Sequence, residues 1–84
     1  MNLSDIAGLR KRADILEQNV LKNGKISGPI DAKADVLHEV QKLHNRIARV
    51  ERVSLGANGL DKNPDAIKKR LEVLEKRAGL AKQK

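Results

Sequence analysis

The sequence predicts an all-α fold of three helices: a helical hairpin over residues 1–54, a connector over 55–63, and a basic helix and tail over 64–84. Three observations carry this. Three stretches repeat apolar residues at alternating steps of three and four, which lines one edge of a helix. Asn, Gly and Pro concentrate between those stretches. The 84 residues include no Phe, Trp or Tyr, so Leu, Ile, Val and Ala must supply the buried area. Such a core suits long helices zipped along a seam better than a globule built on large rings.

The first helix is expected at about 4–22. Ser4 is placed to cap it and Asp5 to face the positive end of its dipole. Ile6, Leu9, Ala13, Leu16 and Val20 form its seam, and Asn23-Gly24 provides residues that tolerate a left-handed turn. A β-hairpin over Val20 to Ser27 with Asn-Gly at its tip competes locally, but an isolated two-stranded hairpin is marginal in water.

The second helix is expected at about 30–53, with Pro29 in its first turn and Asp31 and Asp35 near its N-terminal end. Ala34 to Val53 contains no Gly or Pro, and about 20 residues give a rod roughly 30 Å long. Its seam is Val36, Val40, Leu43, Ile47 and Val50. An 84-residue chain with a thin core and no Cys for disulfides suggests stabilisation by self-association. These five residues are the expected oligomer seam.

Leu55 to Asn63, with two Gly and two Asn, reads as a flexible connector whose Leu55 and Leu60 either tuck against the helices or meet a partner. Asn63-Pro64-Asp65 is a helix start: a cap, a Pro in the first turn and an acid beside it. Ile67, Leu71, Leu74 and Ala78 form the third seam, Gly79 stands where a C-terminal cap belongs, and the chain from Leu80 onward is expected to fray.

Two further patterns accompany the seams. Leu9 to Gln18 aligns without gaps on Ile67 to Lys76, an echo that either amphipathic similarity or duplication explains. Each helix also carries an Arg at a heptad g position and a Glu at the following e: Arg12 and Glu17, Arg46 and Glu51, Arg70 and Glu75. In a parallel coiled coil such residues pair between copies. An antiparallel fold within one chain is the alternative, with Arg12 near Glu39.

No catalytic constellation is legible, and the expectation is a protein that is not an enzyme and needs no cofactor or metal. His38 and His44 are six apart, not the three or four that lets two imidazoles share an ion on a helix. Asp31, Asp35 and Glu39 read as dipole partners and a solvated face. Gly56 to Gly59 is too short for a phosphate-binding loop and lacks its Lys-Ser/Thr.

Charge is the remaining signal. The chain is formally +7, and Ala66 to Lys84 holds seven Lys or Arg against two Glu. Arg46, Arg49 and Arg52 form a stripe on helix two, and Lys68, Lys69, Arg70, Lys76 and Arg77 surround helix three. These eight are the expected docking residues for an acidic protein surface. The alternative is a small nucleic-acid-binding protein using the same residues on phosphates, though it lacks the aromatics on which single-stranded bases stack. A membrane-surface role is disfavoured, because no Trp or Phe lies near the basic helix to enter an interface. With no apolar run of membrane-spanning length and no signal-peptide layout, the expected location is cytoplasmic or otherwise intracellular. The functional expectation is a non-enzymatic protein–protein interaction module, a small adaptor, assembly factor or structural component, that self-associates and docks its basic helix on an acidic partner.

Overall fold

Each of the three apolar seams forms a helix in the computed structural model, which describes residues 2–22 and 28–80. Helix α1 spans Leu3–Val20, α2 spans Val36–Leu55 and α3 spans Pro64–Arg77. No strand occurs among the described residues, so the architecture is all-α. The hairpin turn considered at Asn23-Gly24 lies outside them.

The caps explain where each helix starts. Asn2, not Ser4, caps α1: its side chain accepts from the Asp5 N–H at 3.0 Å, and Asp5 accepts from the Asn2 N–H at 3.1 Å. This reciprocal box satisfies two N-terminal donors together, which Ser4, already inside the helix, cannot do. Helix α2 starts at Val36, six residues later than the expected start near residue 30. Asp31 is engaged in a turn, where its carboxylate accepts from the Lys33 N–H at 2.8 Å and its carbonyl from the Ala34 N–H at 2.9 Å. Asp35 then caps through the Leu37 N–H at 3.1 Å. Helix α3 begins as its sequence signals, with the Asn63 side chain accepting from the Asp65 N–H and Pro64 in the first turn.

Left-handed residues mark the other ends, at Lys22, Gly56 and Gly79. At Gly79 the geometry is a Schellman motif: the Leu80 N–H reaches the Glu75 carbonyl at 2.8 Å and the Gly79 N–H the Lys76 carbonyl at 3.2 Å. Leu80, where fraying was expected, packs against the core as the apolar residue of that motif.

The seams meet inside one chain. Ile6, Leu9, Ala13 and Leu16 of α1, Val40, Leu43, Ile47 and Val50 of α2, and Ile67, Leu71 and Leu74 of α3 form a single buried cluster. Val36 and Ala78 pack partly buried at its margin. The molecule measures 33 × 29 × 24 Å, scarcely longer than α2 alone at about 1.5 Å per residue. The residues expected to form an oligomer seam are therefore occupied: α1 and α3 cover the edge of α2 that a second copy was expected to cover.

Candidate docking surface

The three Arg–Glu elements read from the sequence do pair, between helices of one chain. Arg12 of α1 binds Glu75 of α3, with Nε donating to Oε2 at 3.0 Å. Arg46 of α2 binds Glu17 of α1 through Nε at 3.1 Å and also reaches Asp14. Arg70 of α3 binds Glu51 of α2, with Nε donating to Oε2 at 3.0 Å. Each helix gives one guanidinium to another helix and receives one in return, which closes a ring of charge-assisted bonds around the core. Arg12 goes to Glu75 rather than to Glu39; Glu39 is buried and pairs with Lys42 at 3.3 Å.

Burial sets the strength of these nodes. Asp14 is 2 % exposed, and an isolated carboxylate there would not remain charged. Burial by itself lowers the pKa of Arg46, but its hydrogen bonds with Glu17 and Asp14 outweigh that and hold it above the usual value. Burial likewise pushes Glu51 up, yet hydrogen bonds from Arg70 and the Gly59 N–H leave its carboxyl below the ordinary range. The hydrogen bond with Glu75 raises Arg12. That guanidinium is 34 % exposed, so solvent screens the pair and its contribution is smaller.

Arg70 makes the densest node. Beyond Glu51 it donates to the Asp61 carbonyl at 2.7 Å and the Gly59 carbonyl at 3.1 Å, and lies 2.9 Å from His44 Nδ1. The connector read as flexible is thus tied to two helices, with the Gly59 N–H also donating to Glu51 at 3.0 Å. A Cβ at Gly59 would stand 2.8 Å from Arg70 Nε, so a side chain there must displace the guanidinium from its bonds. His44 is buried, and burial followed by the charges of Arg70 and Lys62 holds its pKa below 6.5.

These contacts divide the expected docking residues. Arg46 and Arg70 are turned inward and serve the fold. The stripe expected on α2 breaks up, because Arg46 faces α1 while Arg49 and Arg52 stay exposed. Lys68, Lys69, Lys76 and Arg77 are exposed on α3. Among the described residues, none of these six exposed cations takes part in an ion pair. Arg52 only reaches Asn58 and Arg77 the Ser54 carbonyl, both at 3.5 Å.

Acidic residues are distributed the opposite way. Asp14, Glu17, Glu39, Glu51 and Glu75 lie in ion pairs. Asp5, Asp31, Asp35 and Asp61 accept backbone N–H groups at caps and turns. Of the three acids read as dipole partners and a solvated face, Asp35 caps α2 and Asp31 lies in the turn before it, both exposed, while Glu39 is buried. Asp65, at the N-terminus of α3, and Glu72 remain exposed. Five acids are thus held in ion pairs between or along the helices, while the exposed cations of α3 and of the C-terminal part of α2 have no ion-pair partner among the described residues.

Other chemistry is sparse. His38 is exposed and His44 is engaged with Arg70. Among the described residues no group of three His, Asp or Glu is placed to hold a metal ion, and no helix is long and apolar enough to cross a membrane. An open groove of about 580 Å³ runs between the N-terminal halves of α1 and α3, with Asp5, Gly8, Arg12, Asp65 and Lys68 in its walls. Its acids sit at helix starts and Arg12 is committed to Glu75. Comparison with protein-family models, curated proteins and solved structures gives no match.

Proposed function

We propose that this chain is a non-enzymatic docking module that presents the cations of α3 to an acidic protein surface. The observation that carries the reading is the partition of charge. Ion pairs within the fold hold five of the eleven acids, Asp14, Glu17, Glu39, Glu51 and Glu75, while Lys68, Lys69, Lys76 and Arg77 stand exposed without ion-pair partners among the described residues. Lys69 and Lys76 are two turns apart opposite the buried Ile67, Leu71 and Leu74, so they project from one outward face. Exposed cations of one sign steer an acidic partner and fix its orientation more than they add affinity.

Self-association through Val36, Val40, Leu43, Ile47 and Val50 is not part of this proposal, since it would require opening the bundle that covers them. The test is binding of a glutamate-only peptide, followed by fluorescence anisotropy over a salt series. Lys69→Glu/Lys76→Glu is expected to weaken binding at least tenfold with unchanged helicity, and added salt to weaken the wild type. Undiminished binding by the variant would remove α3 from the contact. Tighter, salt-sensitive binding of duplex DNA would transfer the same cations to the nucleic-acid reading.

A further inference from the structure

Leu60 is 83 % exposed, more than any other large apolar residue described, and Leu55 is 42 % exposed. A lone surface leucine is ordinary. What sets Leu60 apart is that the backbone on both sides is pinned. The carbonyls of Gly59 and Asp61 both accept from Arg70, the Gly59 N–H donates to Glu51, and the Asn63 N–H donates to Asp61. Arg70 and Glu51 are themselves fixed to each other across α3 and α2. The segment therefore holds Leu60 outward at a tied arch.

Three cations stand around this connector, against Asp61, the exposed acid that adjoins Leu60. Arg52, one turn before Leu55, reaches into the same connector at Asn58. Lys62 follows within the connector and acts electrostatically on His44. Arg77 lies at the Ser54 carbonyl, beside Leu55 in sequence.

We propose that Leu60, with Leu55 five positions before it, is the apolar anchor of a docking surface at the connector, which extends the basic contact from α3 through Arg77. Its partner is an acidic amphipathic segment of another protein, whose carboxylates meet Arg52, Lys62 and Arg77 while its apolar stripe covers Leu60. This inference rests on the docking function proposed above and narrows the partner class. A held loop binds without first losing the ordering entropy that a mobile one must give up. A phosphate backbone offers no apolar surface to a leucine side chain.

The experiment uses two labelled synthetic peptides of equal negative charge: one of Glu with Gly and Ser, the other with Leu and Phe at helical spacing among the Glu residues. Anisotropy is measured for the wild type, Leu60→Ser and Lys69→Glu/Lys76→Glu. The wild type is expected to bind the amphipathic peptide roughly tenfold more tightly, the amount a buried leucine supplies. Leu60→Ser should erase that preference and leave binding of the Glu-only peptide and the circular dichroism unchanged. Equal affinity for both peptides, or a preference that survives in Leu60→Ser, overturns the anchor while the docking function stands. Absence of binding to either peptide overturns both. Tighter binding to duplex DNA that Leu60→Ser weakens assigns the leucine to nucleic acid and overturns the protein partner.

Discussion

Replacing Arg70 with Met keeps an unbranched apolar stem in place and removes every hydrogen bond of the guanidinium. Glu51, 5 % exposed, then retains the Gly59 N–H as its donor, and the Gly59 and Asp61 carbonyls and His44 lose a common partner. Removing one partner of a buried charge pair costs about 3–5 kcal/mol, because the other charge is left uncompensated. A chain of this length has about 4–13 kcal/mol in total, at roughly 0.05–0.15 kcal/mol per residue. The variant should therefore sit near the edge of folding.

With no Trp, Tyr or Phe to report by fluorescence, the assay is urea unfolding followed by far-ultraviolet circular dichroism. Glu51→Gln in the Arg70→Met background should recover part of the loss, because the stranded charge is gone. The double variant is expected to be about 1–3 kcal/mol more stable than the sum of the single changes allows. A loss below about 1 kcal/mol for Arg70→Met, less than a buried pair should cost, or strictly additive changes, would refute the claim that this node holds the connector to α2 and α3.

Three further expectations follow from the same structure. Gly8 lies inside α1, and a Cβ added there would meet nothing within 4 Å, so Gly8→Ala should raise stability by about 0.5–1 kcal/mol in urea unfolding. Gly59→Ala drives a Cβ against Arg70 and should destabilise by about 1–3 kcal/mol, an effect that Arg70→Met should largely abolish. Stability should also fall with acid in two stages. His44 has a folded pKa below its unfolded value of 6.5, so the unfolded chain takes up the proton first, and stability present above that pH declines as pH drops below it. Glu51, likewise depressed from 4.5, adds a second loss as pH falls through the carboxylate range. Thermal unfolding over a pH series should show both stages, and His44→Gln should remove the upper one alone.

Much of the architecture was legible because it depends on local pattern. The 3/4 spacing marked the buried edges of all three helices, and Asn63-Pro64 and Gly79 act where their backbone chemistry places them. The start of α2 was not legible from Pro29. Asp31 and Asp35 are both competent caps, and only the backbone N–H each one meets separates a turn residue from a helix cap. The Arg–Glu elements show the same limit on a larger scale. Their spacing announced cross-pairing, but spacing is equally compatible with pairing between copies and between helices of one chain. Tertiary placement decides it: the g positions set Arg46 and Arg70 beside the seams, unlike Arg49 and Arg52, but do not say which helix each one meets. Leu60 carried no periodic signal, and its exposure follows from what Arg70 does to its neighbours.

Three helices close their core and their Arg–Glu ring within a single chain. Static light scattering on a gel-filtration column, over a wide range of protein concentration at moderate salt, tests this most directly. The expected result is the mass of one chain throughout. A mass that climbs toward two chains or more with concentration, and that Ile47→Lys returns to one chain with helicity intact, would place the α2 seam between copies and contradict that claim.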